Sequence, residues 1–147
     1  MILFSCGEYQ KVLKSTDVNY KYTKAVEYYN NADFARAMPI FNELTSLMRG
    51  SKRSEEVRYY FAYCHYNSGD FLVSSYLFKN YISTYPNGSH VEECLYMSAY
   101  CVYLESPSHS LDATNTRKAI EELQLFINEY PLSTKVEQCN KLIDELR

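Results

Sequence analysis

The sequence has no tryptophan and only four glycines and four prolines among 147 residues. Glycine and proline supply most of the tight turns that sheets need, so their scarcity disfavours a β-rich fold. Fifteen basic residues stand against 18 acidic ones and form no basic cluster, which argues against nucleic-acid binding because phosphate recognition needs concentrated positive charge. We therefore predict an all-α chain of single-domain length that does not bind nucleic acid.

The sequence also lacks the patterns of a catalytic or metal site. The cysteines show no C-x-x-C spacing, and the three histidines are far apart, with no carboxylate or cysteine at ligand spacing. The adjacent pairs Glu92-Glu93 and Glu121-Glu122 diverge on a helix and cannot act together as acid and base. There is no glycine-rich phosphate loop and no nucleophile elbow. We predict a protein that is not an enzyme and uses neither cofactor nor metal.

A pattern of helix pairs recurs along the chain. Tyr59–Pro86 shows the tetratricopeptide order, namely a small residue, a glycine turn, helically spaced aromatic residues and a closing Tyr-Pro. Ala25, Ala62 and Ala99 repeat its small residue at equal steps (62 − 25 = 37 and 99 − 62 = 37). The decapeptide Tyr85–Cys94 then recurs as YPLSTKVEQC, after an insertion of about eight residues within Glu105–Thr116. These spacings predict a repeat protein.

The predicted fold is a right-handed tetratricopeptide solenoid of about three helix pairs followed by a seventh helix. Asp17, Asp33 and either Asp112 or Thr114 are candidate N-caps. We expect Lys21 and Lys24 to form a polar outer face on the first repeat, with nothing stacked beyond it. The expected segments are a signal-peptide remnant (1–5), a tether with no periodic apolar face (6–16), repeats at 17–50, 51–87 and 88–131, and the start of the next repeat (132–147).

The last helix carries an apolar face formed by Leu142, Ile143 and Leu146. We expect this face to have no partner within the chain. Its Asp144 stands where the other first helices carry alanine. We expect this helix to be a severed interface and the chain to be the N-terminal part of a longer protein.

The N-terminus resembles the lipobox at which a bacterial signal peptidase cleaves before a lipid-modified cysteine. Leu3 and Ser5 fit the pattern before Cys6, whereas the apolar run ahead of it is too short for a working signal peptide. The alternative is an ordinary apolar N-terminus with an isolated cysteine.

The remaining four cysteines are expected to be small core residues. Cys94 and Cys101 are seven residues apart on one helix, about 10.5 Å along its axis, which is beyond disulfide reach. A disulfide between neighbouring helices, such as Cys64 with Cys101, is the alternative in an oxidising compartment.

Sixteen tyrosines are the unusual excess of this sequence. At i, i+4 and i+7 of each first helix, one stripe would face the concave side of the repeats. The tyrosine ladder is defined by eight predicted groove residues, with Val26 as the ninth position: Tyr22, Tyr29, Tyr59, Tyr63, Tyr66, Tyr96, Tyr100 and Tyr103. We expect the tyrosine ladder to lie off the core stripe and to bind peptides through aromatic faces and hydroxyls. The alternative is that these rings only pack neighbouring helices.

Taken together, the lipobox, the tether and the Tyr-Pro boundaries resemble BamD-like lipoproteins of the outer-membrane β-barrel assembly machinery. The segment Glu105–Pro131 is similar to the form found in Bacteroidetes-type bacteria. The resemblance implies a lipid-anchored scaffold on the periplasmic face of the outer membrane, with Cys6 as the anchor. It also implies, as partners, the barrel-forming subunit, accessory lipoproteins and unfolded outer-membrane precursors.

Two other readings fit some of these features. A SusD-like glycan-binding lipoprotein would combine a lipobox, tetratricopeptide helices and aromatic faces that stack on sugars, although such proteins are much longer and favour tryptophan. A general tetratricopeptide scaffold of the cell envelope is the other reading.

Overall fold

The structure is a computed structural model that describes residues 3–106 and 113–147, with side chains described from residue 7 onward. These residues form eight α-helices and no strand, which confirms the predicted all-α class and is compatible with a tetratricopeptide-like solenoid. The helices are, in chain order, α1 (Leu3–Lys14), α2 (Val18–Asn30), α3 (Phe34–Leu47), α4 (Ser54–Asn67), α5 (Phe71–Thr84), α6 (Val91–Glu105), α7 (Ala113–Glu129) and α8 (Val136–Glu145). The cap candidate Asp112 lies outside the described residues, and Thr114 lies within α7.

Contacts divide the chain into two units, Met1–Gly69 and Asp70–Arg147. In the first unit, α3 packs against both α2 and α4. The predicted N-caps are confirmed: the carboxylate of Asp17 accepts the amide of Tyr20 at 3.0 Å, and that of Asp33 accepts the amide of Arg36 at 3.3 Å. Each satisfies an N–H group that the start of a helix leaves without an intrahelical partner.

The turn between α2 and α3 places a non-glycine residue in the left-handed region. Ala32 has φ 58°, and the amide of Asp33 donates to the carbonyl of Tyr28 at 2.8 Å, as in a Schellman C-cap. One repeat later (32 + 37 = 69) the same place is taken by Gly69, with φ 79°. The same left-handed turn position is therefore an alanine in the first repeat and a glycine in the second.

Residues 3–14 are helical, and this helix includes most of the segment 6–16 that we expected to be a tether. Val12 is fully buried in the core of the first unit. Lys21, expected on an open polar face, is only 2% exposed because α1 lies over it. The apolar spacing of Tyr9, Val12 and Leu13 spans a single turn between polar residues, too short for periodicity to identify a helix.

The second unit is organised around α6, which contacts both α5 and α7. The hydroxyl of the fully buried Tyr81 accepts the amide of His90 at 3.2 Å, and the hydroxyl of Ser75 donates to the carbonyl of Ser98 at 2.9 Å. These bonds satisfy polar groups that the packing removes from water. The largest fully buried side chains of this unit are Phe78, Tyr81, Leu123 and Phe126.

The last helix is covered within the chain, so the expectation of an unpartnered apolar face is wrong. Leu142 and Ile143 are buried together with Cys139, and α8 packs against α7. Leu146 is half-buried. Sequence spacing showed an amphipathic helix but could not show that α7 already supplies the surface it packs on.

Four cysteines are buried free thiols, as expected of core residues. Burial raises the pKa of the Cys64 thiol to about 12 and is the main cause that raises those of Cys101 and Cys139 to about 11. These thiols therefore stay protonated, and unreactive as nucleophiles, at neutral pH.

Candidate functional site

In the first unit, the tyrosine ladder begins with a tyrosine that bridges α2 and α4, the first helices of two successive repeats. The hydroxyl of Tyr22, on α2, donates to the carboxylate of Glu56, on α4, at 2.6 Å. The guanidinium of Arg53 lies 4.7 Å from the centre of the Tyr22 ring and donates to the side chain of Asn19 at 3.1 Å. This ring is therefore held at its hydroxyl and across its face.

The other ladder tyrosines of the first unit differ in how deeply they pack. Tyr29 meets Phe34 and Tyr60 edge to face, at 5.5 and 4.9 Å between ring centres, and packs against the core. On α4, the half-buried rings of Tyr59, Tyr63 and Tyr66 follow one another at 4.8 and 6.1 Å. The i, i+4, i+7 spacing does place these three rings in one row.

In the second unit, the ladder tyrosines of α6 form a parallel stack. The rings of Tyr96 and Tyr100 are 5.8 Å apart and 9° from parallel, and those of Tyr100 and Tyr103 are 5.9 Å apart and 12° from parallel. Tyr100 and Tyr103 are half-buried. The hydroxyl of Tyr103 donates to the carboxylate of Glu145, on α8, at 2.5 Å.

Tyr96 belongs to the core, which corrects the expectation that the whole tyrosine ladder lies on a separate stripe. It is 5% exposed and meets Phe126, on α7, edge to face at 5.6 Å. The ammonium of Lys135 lies 5.0 Å from the centre of its ring. Helix α7 brings the covering phenyl ring and the start of α8 brings the cation, and that packing could not be read from the spacing within α6 alone.

One arrangement occurs in both units. Arg53 is the N-cap residue of α4 and lies against Tyr22, and Lys135 is the N-cap residue of α8 and lies against Tyr96. The separations are 31 residues (53 − 22) and 39 residues (135 − 96), and their difference of eight equals the insertion inferred from the sequence. In both cases, a cation at the start of a repeat's first helix lies over the ring of the first ladder tyrosine in the preceding repeat.

The hydroxyls at the two ends of the tyrosine ladder are tied to carboxylates. Burial, followed by the bond to Glu56, raises the pKa of Tyr22, and the bond to Glu145, followed by burial, raises the pKa of Tyr103. Both hydroxyls are donors at physiological pH. These acidic partners could not be predicted from the sequence. Their only signal was a glutamate near the start of α4, Glu56, and another at the end of α8, Glu145.

The site contains aromatic surface rather than reactive groups. Among the described residues, no cluster of three or more histidine, cysteine or acidic side chains could hold a metal ion. The described helices also include none that combines the length and the hydrophobicity needed to cross a membrane. The predicted anchor Cys6 lies within the backbone of α1, and its side chain is outside the described part of the chain.

A family model described as an outer membrane lipoprotein, YfiO, matches residues 14–147. The chain belongs to this family. Membership confirms the BamD-like resemblance at the level of an outer membrane lipoprotein family. Among curated proteins no significant match was found.

Proposed function

We propose that this protein is a scaffold of the outer-membrane β-barrel assembly machinery, of the Bacteroidetes type, anchored by lipid on the periplasmic face. Its tyrosine ladder would bind partner subunits and extended segments of unfolded outer-membrane precursors. Membership of an outer membrane lipoprotein family supports the location at the outer membrane. The single observation that carries the binding role is that Tyr63, Tyr66 and Tyr100 stay half-buried on first helices whose other faces fill the core.

The chemistry of this surface suits a barrel precursor. Strands of outer-membrane barrels alternate apolar and polar residues and end in aromatic girdles, so they present apolar side chains together with unpaired backbone groups. Half-buried tyrosines offer ring faces to the former and hydroxyls to the latter. The flanking side chains Arg53, Glu56, Lys135 and Glu145 carry both charge signs, which does not favour a clamp for purely acidic tails.

The binding role is tested by titrating the protein with a peptide from the C-terminal strand of a barrel protein. Truncating an aromatic anchor in an interface costs roughly 1–2 kcal/mol or more, so Tyr63→Ala and Tyr100→Ala should each weaken binding about 5–30-fold. Tyr76, a 67% exposed tyrosine of α5 outside the tyrosine ladder, is the matched control, and Tyr76→Ala should leave the affinity unchanged.

Two further comparisons separate binding from instability and from other ligands. Both ladder variants should melt much closer to the wild type than Phe78→Ala, which opens a cavity at a fully buried position. A scrambled peptide should bind more weakly than the native one, and equal binding would reduce the tyrosine ladder to a non-specific apolar surface. Tight binding of an oligosaccharide instead would favour the SusD-like role, which the parallel rings of Tyr96, Tyr100 and Tyr103 make worth including.

The proposed anchor is tested by mass spectrometry of the protein isolated from its native membrane. Cys6 should be the first residue, without Met1–Ser5, and should carry two or more acyl chains because a single chain gives only marginal membrane binding. Cys6→Ser should release the protein from the membrane fraction. An unmodified Cys6 within an intact N-terminus would rule the anchor out.

A further inference from the structure

Helix α1 is docked onto the first repeat by contacts between Glu8 and Leu13. Val12 is buried in the core, and the ring of Tyr9 meets that of Tyr28 edge to face at 5.7 Å. Ion pairing adds to this, because the ammonium of Lys24 lies 2.8 Å from the carboxylate of Glu8. A segment held in this way is not a flexible tether, whose ends would be separated by roughly 18 Å on average for the 11 residues 6–16.

The contacts also fix the direction of α1. Near its C-terminal end, the carbonyl of Leu13 accepts the ammonium of Lys21, early in α2, at 2.9 Å. Towards its N-terminal end, the hydroxyl of Tyr9 donates to the carbonyl of Arg36, in the first turn of α3, at 3.4 Å. Helix α1 therefore runs antiparallel to α2, and its N-terminal end lies beside the α2–α3 turn.

The anchor position follows from this geometry. Cys6 precedes Tyr9 by three residues of the same helix, which is about 4.5 Å along its axis. We propose that the bilayer-facing surface of the first unit is the end that carries the α2–α3 turn, residues 30–33, and that the opposite end, residues 49–53, points away from the membrane. This orientation rests on the proposed lipidation of Cys6.

The charges at the two ends of the first unit favour the opposite orientation, so the two predictions can be distinguished. At the α2–α3 end the ions are paired, Lys24 with Glu8 and Glu27, and Arg36 with Asp33, and the exposed tip is Asn30-Asn31-Ala32. The opposite end exposes three cations: Arg49, Lys52 and Arg53. Attraction to anionic headgroups alone would turn that basic end towards the membrane. The docked helix predicts the reverse.

The orientation can be measured on the full chain coupled through Cys6 to a maleimide lipid in nanodiscs that also contain a gadolinium-chelating lipid. The other four thiols are buried, so coupling is directed to Cys6, and Cys6→Ser should abolish it. The methyl groups of Ala32 and Met48 lie at opposite ends of the 14-residue α3, about 20 Å apart. Since paramagnetic relaxation falls with the sixth power of distance, this separation of about 20 Å should broaden Ala32 at least roughly tenfold more than Met48.

Equal broadening of the two methyl groups, or stronger broadening of Met48, would overturn the proposal. The variant Lys21→Met should undock α1 and remove the contrast, whereas Lys14→Met, at an exposed lysine of the same helix, should keep it. A contrast that survives in Lys21→Met would show that α1 docking does not set the orientation. The chemical coupling makes this test independent of native lipidation, which mass spectrometry decides separately.

Discussion

The buried lysine beneath α1 joins that helix to the first repeat. Lys21 donates to the carbonyl of Leu13 and, at 2.5 Å, to the carboxylate of Glu43, so one side chain joins α1, α2 and α3. Methionine retains most of the apolar stem and removes the charge. If α1 were absent from this face, the substitution Lys21→Met would change an exposed residue and cost almost nothing.

The structure sets the size of the expected effect. Hydrogen bonds to charged groups contribute about 1.5–3 kcal/mol each, and losing one partner of a fully buried ion pair costs about 3–5 kcal/mol. Glu43 is 45% exposed and can turn to water, so the penalty of an unpaired buried charge does not apply in full. We therefore expect Lys21→Met to lower the free energy of unfolding by about 1.5–3 kcal/mol, which is roughly 3–10 °C in Tm for a chain of this length.

The measurement is urea and thermal unfolding beside a matched variant. Lys24 is three residues away on the same helix, and its partners Glu8 and Glu27 are more than half exposed, so Lys24→Met should cost about 0–1 kcal/mol. Hydrogen exchange should also show faster exchange of the amides of α1 in Lys21→Met but not in Lys24→Met. Equal stability of the two variants would refute the docking of α1 and would favour the original expectation of a tether.

Three further results are expected. Phe126→Ala, at a fully buried ring, should destabilise by about 3–5 kcal/mol in urea unfolding, whereas Leu125→Ala, at its 45% exposed neighbour, should cost well under half of that. Ala32→Gly should stabilise by about 0.5–1 kcal/mol, because glycine relieves the left-handed backbone, and an unchanged or lower Tm would contradict the strain. Burial raises the pKa of Cys64 from 9.0 to about 12, so its contribution to stability is complete below pH 9 and is lost as the pH rises towards 12, since the unfolded thiol ionises first. The wild type should therefore lose more stability between pH 8 and 10.5 than Cys64→Ala does.

Much of the fold could be predicted because it depends on local signals. Asp17 and Asp33 show their capping role by position, and the 37-residue step places Ala25, Ala62 and Ala99 at buried positions. Helical periodicity is strong where a helix carries three or more turns of apolar spacing. Helix α1 has one such turn, and its stability comes from Lys21 and Val12 meeting residues far along the chain, which no local pattern contains.

The site was predicted less completely, for the same physical reason. Spacing within a helix shows which tyrosines share a stripe, and the rows Tyr59–Tyr66 and Tyr96–Tyr103 follow that prediction. Spacing within one helix does not show which side chains of the following helices pack against that stripe. Phe126, on α7, packs on Tyr96 and Lys135, at the start of α8, lies over its ring, and the insertion displaces both residues along the sequence.

The bonds at the ends of the tyrosine ladder bear on how it could bind a ligand. The hydroxyl of Tyr22 reaches the following first helix through Glu56, and that of Tyr103 does so through Glu145. These bonds, with the cation on the ring of Tyr22, order side chains that would otherwise lose freedom when a ligand binds. Tyrosine suits this double use better than phenylalanine, because its polar tip can fix neighbouring helices while its ring remains half-exposed. At Tyr22 and Tyr103 the polar tip is fixed in this way before any ligand arrives.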